Sequence, residues 1–246
     1  MTFSLSPADL IASLQTWPSE GLILLMLVSC GAILSLMARI FGALGLMLYI
    51  TLAVIIANLQ IHIATHFSFF HEPIALGTVV FSSTFIGTSI LTEFYGKAQA
   101  QKAVWLSFVG VIILMIFMMI TLGFKPAAGF GQAHQAIQTL FMPTPALITA
   151  SLIAYVIGQY NDIWMFTFLS RLTRGKLLWL RSFVGPLVGA FMDNLVFSVL
   201  AWMVFSPHPL SWNTVFFTYV LGTYLLRIGM ALISVPFMYV VRRMVR

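Results

Sequence analysis

The chain has 246 residues, of which 61% are hydrophobic and only 7% are charged, with a formal net charge of +6. Soluble domains carry nearer a quarter charged residues because their surfaces face water, so this composition excludes a water-soluble protein and predicts an all-α polytopic membrane protein. The single cysteine, Cys30, excludes an intrachain disulfide and a cysteine metal cluster.

Seven apolar runs are each long enough for a helix to cross a bilayer core, which needs roughly 20 residues. In chain order they cover residues 20–38, 41–61, 74–92, 103–122, 146–168, 183–205 and 212–240. The first 38 residues contain no Lys or Arg, so the basic leader of a signal peptide is missing and the first run is expected to stay as a span. Residues 7–16 are a candidate for a short interfacial helix.

The basic residues separate onto two sides of the seven predicted spans. Lys125 falls on one side, and Arg227 lies within the last span. The other side holds ten, namely Arg39, Lys97, Lys102, Arg171, Arg174, Lys176, Arg181, Arg242, Arg243 and Arg246. Lys and Arg accumulate on the cytoplasmic side of bacterial membranes, so we expect the N-terminus outside and the C-terminus in the cytoplasm. The positive charge is therefore a topology signal, and a nucleic acid is not expected as a direct partner.

The histidines all fall on the predicted outer side. His62 and His66 are four residues apart, with His71 and Glu72 nearby, which is one arrangement that could hold a metal ion. No catalytic zinc pattern such as H-E-x-x-H accompanies them. Polar residues in an interfacial loop are the favoured interpretation, so the sequence predicts neither a metal nor a cofactor.

Three charged residues lie well inside the predicted spans: Asp162, Asp193 and Arg227. A charge at mid-bilayer costs about 3 kcal/mol on insertion scales, so such residues normally face a protein interior. Asp193 and Arg227 fall at similar depth and are expected to be counter-charges in one polar cavity. The simpler alternative is a buried pair that only fixes helix packing. The additional amides at this depth, Gln159 and Asn194 among them, favour a solute cavity.

Two further patterns concern helix packing and helix ends. Gly185 and Gly189 form a G-x-x-x-G pattern on the sixth span, which would let a neighbouring helix approach closely. Glu93 and Tyr95 end the third span, before a glycine break and two lysines. Because acidic residues add little to orientation, Glu93 is kept as a candidate functional residue.

Four stretches carry a family resemblance: VIIANLQIH (54–62), SILTEFYGKAQAQKAVW (89–105), IGQYNDIWMF (157–166) and RGKLLWLRSFVGPLVGAFMDNLVF (174–197). They resemble the queuosine precursor transporter family, also called the vitamin uptake transporters, from about residue 41 to the C-terminus. The most specific matches are the T-E-x-Y-G block at 92–96, the Q-x-x-D block at 159–162, and an arginine twelve residues before an aspartate, Arg181 to Asp193. The sequence departs from the family pattern at Ser89, Gly185-Pro186 and Gly189-Ala190, where polar contacts to a solute would be lost.

The resemblance implies a six-helix bundle like the substrate-binding subunits of energy-coupling-factor transporters. Residues 41–246 would form this core, and residues 1–40 would add an N-terminal segment and one more transmembrane helix. The implied activity is import of a 7-deazaguanine, such as preQ0, preQ1 or queuine, across the bacterial cytoplasmic (inner) membrane. The precursor serves a modified tRNA nucleoside, and membrane lipid is the other expected partner.

A guanine-like edge presents adjacent N–H donors, which one carboxylate accepts in parallel. Asp162 or Asp193 suits that role, an aromatic ring would stack on the solute, and an aminomethyl cation would find such an acidic pocket favourable. The candidate substrate-binding residues are Asn58, Glu93, Tyr155, Gln159, Asp162, Trp164, Arg181, Asp193, Asn194 and Arg227.

Two other functions stay open at this point. The chain could be the substrate-binding subunit of an ATP-driven vitamin or nucleobase uptake complex; it has no G-x-x-x-x-G-K-[ST] pattern, so the ATPase would be another chain. An intramembrane enzyme using Asp162 and Asp193 as a carboxylate pair is less favoured, because no G-x-S-x-G elbow is present. The prediction is a transporter and not an enzyme. Whether it forms a homo-oligomer or needs a separate ATPase is open.

Overall fold

The chain folds almost entirely into helices, in agreement with the apolar composition. A computed structural model of the protein describes residues 6–67, 74–141 and 145–245. The elements follow in the order α1 Pro7–Gln15, α2 Ser19–Gln60, β1 Ala64–Thr65, β2 Ile74–Ala75, α3 Gly77–Phe94, α4 Lys97–Leu122, α5 Gly131–Phe141, α6 Pro145–Leu172, α7 Leu178–Val199 with a π-helical extension Leu200–Val204, α8 Trp212–Thr214, a π-helical segment Val215–Leu221, and α9 Gly222–Val245. The two short strands pair antiparallel, and in the described ranges they depart from the all-α prediction.

The first two predicted spans are the two arms of α2, which reverses direction at Gly42. This glycine has φ 59° and ψ −136°, a conformation outside the helical region, and a positive φ of this kind favours glycine because it has no Cβ. A Cβ on Gly45 would stand 2.5 Å from the carbonyl oxygen of Met37. In one straight helix these residues would be about 12 Å apart. The arms 19–41 and 43–60 therefore form a tight hairpin.

The first arm is packed into the rest of the bundle. Gly31 lies directly against the ring of Phe237 in α9, and Leu34 contacts the position of Gly87 in α3. Leu34 and Ile50, on opposite arms of α2, are both completely buried. Because side chains from both arms meet α3, residues 19–41 contribute to the same core as the helices that follow.

The helix connections collect at two ends of the bundle. One end, here called the basic end, holds the reversal at Gly42, the α3–α4 turn at Gly96 and the α6–α7 connection 173–177. Two of these connections are close together, since a Cβ placed on Gly42 would lie 3.4 Å from the hydroxyl of Tyr95. The opposite end, the histidine end, holds residues 61–67, 123–130 and 206–211. The Lys and Arg predicted to share one side lie at the basic end, except that Arg246 is outside the described residues.

The outer surface of the bundle is apolar, and polar side chains are buried among the apolar residues of its core. On α4, for example, Leu106, Ile113 and Phe117 are half or more exposed, whereas Ser107 is fully buried. Water-soluble proteins show the opposite arrangement. In the described part of the chain, three helices are long and apolar enough to cross a membrane: Ser19–Gln60, which contains the Gly42 reversal, Lys97–Leu122 and Leu178–Val204. This is the surface of a protein surrounded by lipid.

Helices α6 and α7 share the most extensive contact between described helices, and the G-x-x-x-G pattern noted in the sequence lies in it. A Cβ on Gly189 would lie 2.8 Å from the carbonyl oxygen of Gly158, and a Cβ on Gly158 would lie 2.9 Å from the carbonyl oxygen of Gly189. The two backbones are thus in contact, and small residues are what allow this. The crossing places Asp162 and Asp193 on the facing sides of the two helices.

We expect Gly189→Ala to lower the free energy of unfolding by about 1–3 kcal/mol, as overpacking of a tight core does. The added methyl group would collide with the backbone of α6, and a backbone cannot relieve the clash by changing a side-chain rotamer. Gly229→Ala on α9 is the matched control, because a Cβ there meets nothing within 4 Å. Thermal unfolding in detergent measures both variants, and equal melting temperatures for the two would contradict the close crossing.

Candidate functional site

A cavity of about 200 Å³ lies inside the bundle toward the histidine end. Its walls come from α2, α3, α6, α7 and α9 and from the short strand β2, and its lining is Ala57, Asn58, Ile61, Ala75, Gly77, Thr78, Phe81, Ser151, Asn194, Phe197 and Arg227. We call this space the Arg227 cavity. It is larger than the ~150 Å³ that admits a benzene ring, and its lining offers a cation, amides, hydroxyls and two phenyl rings.

Arg227 is the charged residue in the described lining of this cavity, and it is held firmly. Its Nη1 donates to Oδ2 of Asp193 at 2.7 Å and to the carbonyl oxygen of Ala190 at 3.4 Å. Its guanidinium carbon lies 5.7 Å from the centre of the Phe81 ring. Asp193 is therefore the counter-charge that the sequence predicted. Asp193 holds the Arg227 guanidinium in place, on the side away from the cavity, and does not itself line the cavity.

Asn194 shapes the cavity by holding the π-helical segment that precedes α9. Its Nδ2 donates to the carbonyl oxygens of Val220 at 2.7 Å and Tyr219 at 3.3 Å. A π-helical turn changes the register of backbone hydrogen bonding and is frequent at functional sites. The amide of Asn194 thus ties α7 to the irregular stretch Val215–Leu221, next to the side chain of Arg227.

A second cavity of about 350 Å³ adjoins the first and shares Asn58, Ile61, Ser151 and Phe197 with it. Its remaining walls are mainly apolar residues of α2, α4, α5 and α6, together with His62 and Trp202. Of the described residues, neither cavity is lined by an aspartate or a glutamate. The described lining differs from the expected acidic pocket: Asp162 and Asp193 lie behind the cavity walls, and the charge in the lining is that of Arg227.

Asp162 and Gln159 lie deeper, in a network of hydroxyl groups on α3. The Thr88 hydroxyl is 2.9 Å from Oε1 of Gln159 and 2.9 Å from Oδ2 of Asp162. Gln159 Nε2 donates to the Thr84 hydroxyl at 2.7 Å. Both Gln159 and Asp162 are completely buried. They share one helix face, as predicted, and that face meets α3 and α7 rather than either cavity.

The basic end is closed by a second internal ion pair. Arg181 donates from Nε and Nη2 to the two carboxylate oxygens of Glu93, at 3.0 and 2.7 Å, the parallel geometry that is strongest between these groups. The Arg181 guanidinium also lies 5.7 Å from the centre of the Phe166 ring. Arg181 is 2% exposed. This pair joins α3 to α7 far from the Arg227 cavity, so neither residue lines it.

The ten candidate residues thus divide into four groups, one of which is the Glu93–Arg181 pair at the basic end. Asn58, Asn194 and Arg227 line the Arg227 cavity. The supporting layer around them contains Tyr155, Gln159, Asp162 and Asp193. Trp164 points outward and is 54% exposed, stacked on Phe168, so the structure gives it no place at the cavity. Tyr155 is buried behind Phe81, with ring centres 5.9 Å apart, and it also does not line the cavity.

The sequence reasoning missed the hydroxyl residues of α3. Thr84 and Thr88 organise the buried network, and Thr78 lines the Arg227 cavity. A signal was present, because Thr84, Thr88 and Thr92 recur at intervals of four residues and so share one helix face. Of the histidine arrangement, His71 and Glu72 lie outside the described residues. Within the described chain no three His, Cys, Asp or Glu residues gather as metal ligands.

Comparison with known proteins gives two matches. The protein family described as "Putative vitamin uptake transporter" matches residues 75–241. A curated protein of Bacillus subtilis (strain 168), described as "Probable queuosine precursor transporter", is 32% identical over 206 residues, which is 83% of this chain and 86% of that protein. No solved structure matches the chain significantly. The two matches confirm the resemblance that the sequence motifs indicated.

Proposed function

The chain belongs to the vitamin uptake transporter family, and from that premise we propose that it imports a queuosine precursor across the bacterial inner membrane. The structural observation that supports this function is the Arg227 cavity, a space large enough for one aromatic ring and lined by one fixed cation and two phenyl rings. The comparisons favour a transporter over the substrate-binding subunit of an ATP-driven complex. The solute crosses without a covalent step.

In this proposal the flat 7-deazaguanine ring lies between Phe81 and Phe197, with its carbonyl oxygen toward Arg227. Arginine is the usual partner of the guanine carbonyl in nucleic-acid recognition. In the described chain the hydrogen bonds of Arg227 both come from Nη1, which leaves Nη2 to donate to the solute. Asn58 at the rim would orient the amide edge of the ring. Asp193 acts through Arg227, by fixing the position of the guanidinium.

The proposed membrane arrangement has seven crossings, counted with the two arms of α2 separately. Residues 41–246 form the six-helix core of the family and residues 1–40 add a helix to it. The excess of Lys and Arg supports a cytoplasmic location for the basic end, with the N-terminus outside. The Arg227 cavity then lies toward the outside and the Glu93–Arg181 pair closes the cytoplasmic end. This is the outward-facing arrangement expected of an importer before it binds its solute.

The lining also favours an uncharged precursor over a cationic one. An aminomethyl substituent carries a positive charge, and it would enter a space whose fixed charge is Arg227 and whose described lining contains no carboxylate. Asp193 offsets most of this repulsion. We expect a residual preference of about 1.4 kcal/mol, which is tenfold, for the nitrile-bearing 7-deazaguanine over the aminomethyl form.

Complementation of uptake tests both statements. The chain is expressed in cells that lack precursor synthesis and their own uptake system but retain the later enzymes, and each precursor is supplied at low concentration. Queuosine in tRNA is expected with the wild type and with Trp164→Phe, the outward-facing control, and not with Arg227→Met. Failure of every precursor with the wild type would refute the proposed function. A preference for the aminomethyl form would refute only the charge argument.

A further inference from the structure

The buried charges of the bundle do not balance. Among the described residues, two cations and three acids lie in the interior: Arg181 is paired with Glu93 and Arg227 with Asp193, each at 2.7 Å. The remaining acid is Asp162, which is completely buried and forms no salt bridge. An ionised carboxylate without a counter-charge is very costly to bury, so such a group takes up a proton instead.

The surroundings of Asp162 supply hydroxyl groups and backbone but no cation. From α3 it meets the hydroxyls of Thr88 at 2.9 Å and Ser89 at 3.5 Å. From α7 it meets the glycine backbone, since a Cβ on Gly185 would lie 2.8 Å from its Oδ1 and one on Gly189 would lie 2.7 Å from its Cβ.

The charged groups on the helices packed around Asp162 are already paired with each other, so none of them is a counter-charge for Asp162. Helix α7 presents Asp193 and Arg181, α3 presents Glu93, and α9 presents Arg227, and these four form the two ion pairs. The same helix, α6, carries Tyr155 two turns away. No described group therefore stabilises a negative charge on Asp162, apart from the two hydroxyls.

The hydrogen bonds of this network leave room for a proton on Asp162. The Thr88 hydroxyl has one hydrogen, but four acceptors lie within 3.1 Å: the carbonyl oxygens of Thr84 and Phe85, Oε1 of Gln159 and Oδ2 of Asp162. When that hydrogen goes to Gln159 or to the backbone, the short contact with Asp162 requires a hydrogen from the carboxyl group. A protonated Asp162 donates it, and the contact is satisfied.

The network also connects Asp162 to the wall of the Arg227 cavity. Gln159 donates through Nε2 to Thr84, whose hydroxyl donates to the carbonyl oxygen of Phe81 at 2.6 Å. The ring of Phe81 lines the cavity and lies under the Arg227 guanidinium. A change in the protonation of Asp162 therefore alters hydrogen bonds that end at the residue on which the solute is proposed to stack.

We propose that Asp162 is the proton-binding site of this transporter and that solute import is coupled to inward movement of one proton. The coupling rests on the proposed function. The proton binds the carboxyl oxygen while the cavity faces outward, and it leaves from that oxygen to the cytoplasm. Release follows when the Glu93–Arg181 pair opens: Arg181 stands one helical turn from Gly185, beside Asp162, and once freed it stabilises the ionised carboxylate.

The test uses the purified full chain in liposomes with the membrane potential clamped at zero and a radiolabelled nitrile-bearing 7-deazaguanine. A gradient of one pH unit, acid outside, drives about tenfold accumulation when one proton accompanies each molecule. We expect this of the wild type, with loss of accumulation when a protonophore is added. Asp162→Asn keeps exchange of labelled for unlabelled solute but accumulates no more than onefold. Asp9→Asn, on the exposed helix α1, behaves as the wild type.

The alternative outcomes separate the two proposals. Exchange by the wild type without accumulation, or full accumulation by Asp162→Asn, overturns the proton site and leaves the transport function standing. No exchange of any precursor by the wild type overturns the transport function and the coupling with it.

Infrared spectroscopy of the wild type covers the case in which Asp162→Asn does not fold. The proposal requires a carbonyl band of a buried protonated carboxyl group at neutral pH. Its absence overturns the proposal without use of a variant.

Discussion

Replacing Asp193 by alanine is expected to lower the free energy of unfolding by about 3–5 kcal/mol, the usual result of removing one partner from a buried ion pair. Arg227 would remain 11% exposed in its side chain, with its charge uncompensated. Its Nη1 would keep only the long bond to the carbonyl of Ala190. Because the guanidinium would no longer be fixed at the cavity wall, we expect precursor uptake to fall by at least about a hundredfold, which corresponds to some 2.7 kcal/mol.

The companion double variant Asp193→Ala with Arg227→Met separates stability from transport. It removes both charges, and replacing a whole buried pair by apolar groups is often neutral for stability. We therefore expect it to regain most of the lost stability and none of the uptake. Cys30 gives a convenient probe, since this single thiol is buried and reacts with a thiol-specific dye only on unfolding. Uptake by the double variant would show that the pair serves packing alone.

Replacing Glu93 by alanine is expected to have an effect of the same size on stability, at the opposite end of the bundle. Arg181 is almost completely buried, its Nη1 already lacks a partner, and Glu93 accepts both of its side-chain hydrogen bonds. Loss of Glu93 leaves an unpaired buried guanidinium, at a cost of about 3–5 kcal/mol. The melting temperature in detergent measures the loss.

The exchanged pair Glu93→Arg with Arg181→Glu tests whether the attraction between the two groups carries this effect. We expect it to restore at least half of the lost stability, because the charges stay complementary across α3 and α7. Arg171→Ala is the control at the same end, since Arg171 is exposed and surface substitutions usually change stability by less than 0.5 kcal/mol. If the exchanged pair restored none of the lost stability, the loss in Glu93→Ala would come from side-chain shape and not from the attraction between the charges.

Several features of the site were within reach of the sequence because hydrocarbon penalises isolated charges. The similar depth of Asp193 and Arg227 made them candidate counter-charges in the interior, and they form an ion pair there. The small residues of the G-x-x-x-G pattern had to mark a close helix contact, and Gly189 lies against the backbone of α6. In such cases the cost of the alternative is several kcal/mol, and a single residue identity is enough to predict its surroundings.

Other features depended on helix rotation, which the composition of an apolar span does not reveal. Trp164 and Asp162 are two residues apart, yet one faces outward and the other is completely buried. A tryptophan is equally acceptable to lipid and to a protein core, so its identity does not choose a side. Likewise, Arg227 lines the cavity and Asp193 is paired with Arg227 without lining it, because of which face of α9 meets α7.

The sequence by itself determined that this is a helical membrane protein with most of its basic residues at one end and the acids of its spans hidden, because water and lipid sort residues by transfer free energy alone. Only the tertiary structure decided that the chain reverses at Gly42, that the cavity presents a cation rather than a carboxylate, and that Asp162 is left without a counter-charge. These depend on which side chains reach each other across helices, and contacts between helices are set by packing geometry that no single span contains.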